Sequence, residues 1–178
     1  MKKFCISLFL IFIIVLTVAC GTESGKGNET EYLRIHIRAN SNEEKDQRIK
    51  YAVKDAVVNF LTPIVADCLS KNEATDKINS KEKEIKYIVD GILSDGGFEY
   101  SSTVSVLNEK FPTRVYDEIT LECGYYDALI IGLGSAEGDN WWCVVYPPLC
   151  FTNTENIKYK SKILEIIENL KNKNGGKL

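Results

Sequence analysis

The chain has a single histidine, His36, too few nitrogen ligands for the common zinc sites. No P-loop, HExxH, GxSxG or CxxC pattern occurs in it, so phosphate-cradling, zinc-protease, serine-hydrolase and dithiol-redox chemistries are without their signatures. It also lacks a basic cluster. Lys and Arg number 22 against 25 Asp and Glu, for a formal net charge of −3, and the charges are spread along the chain, unlike the basic face of a nucleic-acid binder. No hydrophobic run reaches the roughly twenty residues of a spanning helix. The longest, Phe4 to Ala19, has sixteen. There is no internal repeat. No metal, cofactor or nucleic acid is expected.

What is present begins with Lys2-Lys3, the uncharged run and then Cys20-Gly21. A positive start, an apolar stretch and a small residue before a cut site is the layout of an export signal; an uncleaved signal anchor is the alternative. Leu16-Thr17-Val18-Ala19-Cys20 reads as a loose lipobox, with Leu one position further from Cys20 than usual. Lipidation at Cys20 would hold the chain on the outer face of a membrane, while ordinary cleavage after Ala19 would release it. Gly21 to Glu31 is rich in Gly, Ser, Thr, Asn and charge, which suits a flexible tether. Loss of Lys2 and Lys3 with the signal takes the formal net charge to −5.

The remaining chain is long enough for one domain with a real core. Leu33, Ile35 and Ile37 alternate with Arg34, His36 and Arg38, predicting a half-buried strand with a solvated polar face. Ser41 and Glu44 form a capping box for a helix with an apolar stripe from Ile49 to Leu69, kinked or restarted at Pro63 with Thr62 as a new cap. A second helix is predicted from about Glu73 to Ser94, stopped by Gly96-Gly97. Strands follow at Phe98 to Val106, Arg114 to Leu121, Tyr126 to Leu133 and Trp141 to Tyr146, with Pro147-Pro148 ending the last. Ser161 to Leu170 is an amphipathic helix. This order gives a single α+β domain: an N-terminal strand and two helices, then a mostly antiparallel sheet and a C-terminal helix. The segments are 1–19 signal, 20–31 tether, 32–152 domain and 153–178 terminal helix and tail.

Few residues carry chemistry. Gly132-x-Gly134-x-x-x-Gly138 has the wrong spacing for a dinucleotide loop and precedes a strand, so it reads as a hairpin loop. Outside the signal and Cys20, four cysteines remain: Cys68, Cys123, Cys143 and Cys150. They allow three pairings. Cys143 and Cys150 flank the Pro147-Pro148 corner and form one candidate disulfide, with free core cysteines as the alternative reading. A Cys143–His36 dyad is the sharpest enzymatic alternative. Trp141 and Trp142 are adjacent on one strand and must point to opposite faces. One of them left toward water could anchor a protein or stack on a sugar.

Three segments resemble a known family. They are Ile35-His36-Ile37-Arg38-Ala39-Asn40-Ser41 with Asp46-Gln47; Phe111-Pro112-Thr113 with Tyr116; and Gly124-x-Tyr126-x-Ala128-Leu129 followed by Gly138-x-Asn140-Trp141-Trp142-Cys143-Val144-Val145-Tyr146-Pro147-Pro148-Leu149-Cys150-Phe151. Together they closely resemble stage II sporulation protein R of endospore-forming Firmicutes, over about Leu33 to Phe151. The resemblance implies a signal rather than an enzyme. Members are exported from the forespore into the space facing the mother cell. There they trigger a membrane-embedded aspartic-type protease, stage II sporulation protein GA, which removes the pro-sequence of sigma E. Glu122 and Cys123 depart from the family's Pro-Ala-Gly, and Cys68 belongs to none of its motifs, so a Cys68–Cys123 pair would be particular to this chain. A partner-binding surface is expected at the Trp141–Phe151 corner with the Asn40–Gln47 helix start: Asn40, Ser41, Asp46, Gln47, Asn140, Trp141, Trp142, Pro147, Pro148 and Phe151. A wall-glycan-binding module is the alternative function, and a cysteine-dependent exported enzyme a further one.

Overall fold

Six residues of alternating character, Leu33–Arg38, form β1, and both of its faces are buried. The computed structural model describes residues 31–116, 119–149, 164–169 and 172. The export signal, the tether, Cys20, Cys150, Phe151 and most of the C-terminal segment lie outside the described residues. After β1 come α1 (Glu44–Ala66), α2 (Lys71–Ser80), α3 (Glu82–Asp95), β2 (Ser102–Phe111), β3 (Arg114–Tyr116), β4 (Ile119–Leu121), β5 (Gly124–Leu133) and β6 (Asn140–Tyr146). Residues 164–169 are helical, as the C-terminal periodicity predicts. The α+β class is as expected.

The sheet has the order β2-β5-β1-β6 and is mixed. β1 runs parallel to β5 and antiparallel to β6, while β2 and β5 form a ten-residue antiparallel ladder. The three helices cover one face. Leu33, Ile35 and Ile37 of β1 meet Leu129, Ile131 and Leu133 of β5, Cys143 and Val145 of β6, and the stripes Val53-Val57-Leu61-Val65 of α1 and Ile85-Val89-Leu93 of α3. Each such buried aliphatic side chain contributes roughly 1.5–3 kcal/mol, and this layer is the main core.

The opposite face is not solvated. β3 and β4 pair as a small separate sheet that continues the β2–β5 hairpin beyond Pro112. Ile119 and Leu121 fold back onto Phe111, Tyr126, Ala128, Ile130 and Val144 to make a second core. Arg34 and His36 lie beneath it, 0% and 6% exposed, which overturns the solvated polar face expected for β1. Alternation fixed which residues share a face; that the polar face would be covered depended on a hairpin eighty residues downstream.

Local chemistry altered the helix boundaries too. α1 starts after Glu43, whose side chain makes no cap bond, so the predicted capping box is not formed. Ser41 Oγ instead accepts from Glu43 N at 3.1 Å and donates to Asp46 Oδ2 at 2.5 Å. Pro63 sits within α1 without ending it, and Thr62 stays helical, its hydroxyl bonding Val58 O at 2.7 Å. The predicted second helix is two, broken at Lys81, with Ser70 capping α2 through Glu73 N. α3 also guards the exposed edge of the sheet: Glu82 accepts from Val106 N, Asp90 accepts from Ser102 N, and Lys86 donates to Ser102 O. A ten-residue edge strand is thereby protected from pairing with another chain.

Candidate functional site

The turn after β1 is the most densely bonded place in the described chain. Asp46 Oδ2 accepts from Asn40 Nδ2 at 2.9 Å and from Ser41 Oγ, while Oδ1 accepts from Tyr100 Oη at 2.7 Å. Burial pushes the Asp46 carboxyl upward, but the bonds from Ser41, Tyr100 and Asn40, with the Lys45 charge, outweigh it and hold the group below its ordinary value. The same bond and burial raise the Tyr100 phenol. Gln47 Nε2 donates to Ser41 O at 2.8 Å.

Asn40 reaches in the other direction as well, to the loop joining β5 to β6. Its Oδ1 accepts from Ser135 N and its backbone O accepts from Ser135 Oγ. Asn42 Oδ1 accepts from Asp139 N at 2.6 Å, and Gly138 N donates to Ala39 O. Buried Lys50 lies across the same junction, donating to Gln47 Oε1 at 2.7 Å and Asp139 O at 3.0 Å, and burial lowers its pKa. Loop 134–139 is not the hairpin connection expected from its glycine spacing: β1 lies between β5 and β6, so the loop crosses over the end of β1 to join two strands that are not paired. A side chain at Gly138 would run into the Ser41 carbonyl, and Gly134 has φ +58 with Asn40 pressed against it. Asn40, Ser41, Asp46 and Gln47 therefore act as a clamp that sets loop 134–139 and, through it, the start of β6.

β6 presents the two tryptophans as expected. Trp141 packs on the helical core and Trp142 on the second core, both half-buried, and Asn140 beside them is exposed. Trp142 is sandwiched: His36 stacks on it at 5.3 Å, and the Arg114 guanidinium lies 4.3 Å from its ring centre. Asn140 pairs with Arg38 at the clamp end of the sheet, whereas Tyr146 pairs with Leu33 at the other end. Six strand steps make that separation about 20 Å. The clamp, Asn140 and the tryptophans are thus brought together. Pro147 and Pro148 are buried at the far end, after a cis Tyr146–Pro147 bond.

The cysteines and His36 are also placed. Cys68 is buried and Cys123 exposed, and both are free, so the Cys68–Cys123 pair is not formed. Cys68 Sγ instead bonds Ile64 O at 3.2 Å. His36 lies opposite Trp142 and Ile35 opposite Cys143 in the β1–β6 register, so His36 and Cys143 project from opposite faces of the sheet. A Cys143–His36 dyad is excluded by that geometry. His36 Nδ1 meets Glu109 Oε2 at 3.1 Å, and Arg38 donates to the other oxygen of the same carboxylate. Among the described residues no His, Cys, Asp and Glu group could hold a metal, and no helix is long and apolar enough to cross a membrane.

Comparison with known proteins agrees with the motif reading. The family model described as stage II sporulation protein R matches residues 29–156. The chain belongs to this family. A relative named Stage II sporulation protein R, from Bacillus subtilis (strain 168), is 36% identical over 166 residues, covering 88% of this chain and 74% of the relative. No solved structure matches. The stage II sporulation protein R region contains both cores and the clamp, and it places the chain among sporulation proteins. Sequence reading missed Arg34, Glu109 and Lys50, which the fold buries or half-buries at the two polar junctions. Alternation marked Arg34 as polar-facing, and nothing local marked the face as covered.

Proposed function

We propose that this chain is an exported signal of sporulation that activates the membrane-embedded aspartic-type protease, stage II sporulation protein GA, which processes pro-sigma E in the mother cell. The observation that carries this reading is family membership across nearly all of the folded region. It is supported by the export-signal pattern of residues 1–19. The separation of His36 from Cys143 weighs against the cysteine-dependent alternative.

In this reading the domain works by presenting a surface. The end of the sheet where Asn140, Trp141 and Trp142 meet Asn40, Ser41 and Gln47 offers half-buried aromatic area ringed by polar groups, the kind of anchor that protein partners use. Asp46 positions that surface from below. Lipidation at Cys20 would keep the signal on the forespore membrane, and a Cys143–Cys150 disulfide would fasten the chain leaving β6. Closing that eight-residue loop is worth roughly 2.5 kcal/mol in the chain-entropy model.

Reconstitution tests the proposal. Co-expression of this chain with the protease and pro-sigma E should yield the shortened sigma factor, and omission of the chain should not. Unprocessed pro-sigma E in the complete system, with all three proteins present and folded, would refute it.

A further inference from the structure

The second core encloses a positive charge. Arg34 is fully buried and, as a guanidinium, stays charged at any working pH. Its Nη2 donates to Tyr116 Oη at 2.8 Å, while Nε and Nη1 are buried without a hydrogen-bond partner. Among the described residues no carboxylate lies within ion-pair distance of it. Three rings surround it instead: the guanidinium carbon is 4.2 Å from the centre of Phe111, 4.8 Å from Tyr126 and 5.8 Å from Tyr116.

Aromatic rings attract a cation through their faces but offer no lone pair to N–H groups at the guanidinium edge. The cage therefore holds the charge and leaves the in-plane donors unused. A buried cation with open donors is costly unless an anion completes it, and an oxyanion lying in the guanidinium plane is the group that completes it best. Two residues along the same face, His36 rests edge-on against the same Phe111 ring, at 5.8 Å, and its Nε2 is likewise buried and without a partner. Its Nδ1 is turned to Glu109. Two residues with unused polar atoms thus both contact Phe111, beneath a cover of two three-residue strands that shares no ladder with the main sheet.

We propose that Arg34 anchors an oxyanion site for a carboxylate or phosphate group, covered by the β3–β4 hairpin and lined by Phe111, Tyr126, Tyr116 and His36. The anion takes the place of the Tyr116 hydroxyl on Nη2. The site is independent of the activator reading, because binding is measured on the chain alone.

The experiment is a titration of the full chain, ¹⁵N-labelled at arginine, with sodium acetate and with inorganic phosphate at constant ionic strength set by chloride. The Arg34 Nε–H resonance is recognised by its contacts to the Phe111 and Tyr126 ring protons. A saturable shift of that resonance with acetate, phosphate or both supports the site, and the anion that saturates it names the ligand chemistry. Arg34→Lys, which keeps the charge but loses the guanidinium edge, is expected to weaken binding about tenfold or more. A response that fails to saturate, or that chloride reproduces, overturns the proposal. Should Arg34→Lys fail to fold, the titration of the unsubstituted chain decides by itself.

Discussion

Tyr100 donates its phenolic hydrogen to Asp46 across 2.7 Å, joining the segment before β2 to the first turn of α1. Asp46 holds Asn40 and Ser41 from the same carboxylate, and Asn40 in turn holds Ser135 twice. The residues expected to form a binding surface are therefore also a structural relay. Three segments far apart in sequence meet there: the β1–α1 turn with the start of α1, the approach to β2 and the β5–β6 loop.

Asp46→Asn tests the relay. An amide replaces one acceptor oxygen with a donor facing other donors, so stability at neutral pH should fall by about 2 kcal/mol, read from urea unfolding. The pH dependence has a definite sign. The folded-state pKa of Asp46 is depressed, so its contribution is present in full above the ordinary carboxylate value near 4 and is lost as pH falls through the folded value. Asp90 and Asp127 are depressed as well, Asp90 by bonds from Lys86 and Ser102 that outweigh its burial, and Asp127 chiefly by its bond from Lys71. The wild-type chain should therefore lose stability on acidification, with Asp46→Asn losing less of it. Equal losses in both would show that Asp46 is not a contributor.

The two glycine settings predict opposite signs. Gly138→Ala drives a methyl into the Ser41 carbonyl and should cost about 2–3 kcal/mol. Gly91 lies within α3, exposed, with nothing within 4 Å of an added methyl. Gly91→Ala should stabilise by about 0.5–1 kcal/mol through helix propensity. Thermal midpoints of the two variants, moving apart from the wild type in opposite directions, are the check.

Much of the architecture was legible because local patterns determine it. The alternation at Leu33 to Arg38, the stripe of α1 and the apolar run of β5 each name their element and its inward face. The break at Lys81 was not legible, since the stripe Ile78-Ile85-Val89 keeps step across it and both helices pack on one core. The covered face of β1 was not legible either, because Arg34 and His36 are polar and only the returning β3–β4 hairpin buries them. At the candidate site the residue names were readable from the motifs, but their roles were not. Asp46, read as a surface group, is buried, and Pro147-Pro148, which follow the tryptophans in the same motif, sit at the other end of the strand.

Thiol labelling separates the cysteines. Cys123 is exposed and free, so a maleimide should modify it in the folded chain, while Cys68, buried and free, should react only on unfolding. With Cys5 and Cys20 replaced by Ala, denaturation without reductant should expose two reactive thiols if Cys143 and Cys150 are joined. Four labels by intact mass would mean that pair is open.

The final prediction divides a presented surface from a catalytic one. Trp142 is half-buried between His36 and Arg114, so Trp142→Ala should cost about 2 kcal/mol of stability, less than the loss for a fully buried tryptophan. Assayed at equal amounts of folded protein, it should nonetheless abolish pro-sigma E processing, because the aromatic anchor has gone. His36→Gln keeps most of the ring's volume and removes any base, and His36 cannot reach Cys143 across the sheet. Processing with His36→Gln should stay near the wild-type level. Normal processing with Trp142→Ala would move the contact surface elsewhere on the domain, and a lost signal with folded His36→Gln would reopen a chemical role for the histidine.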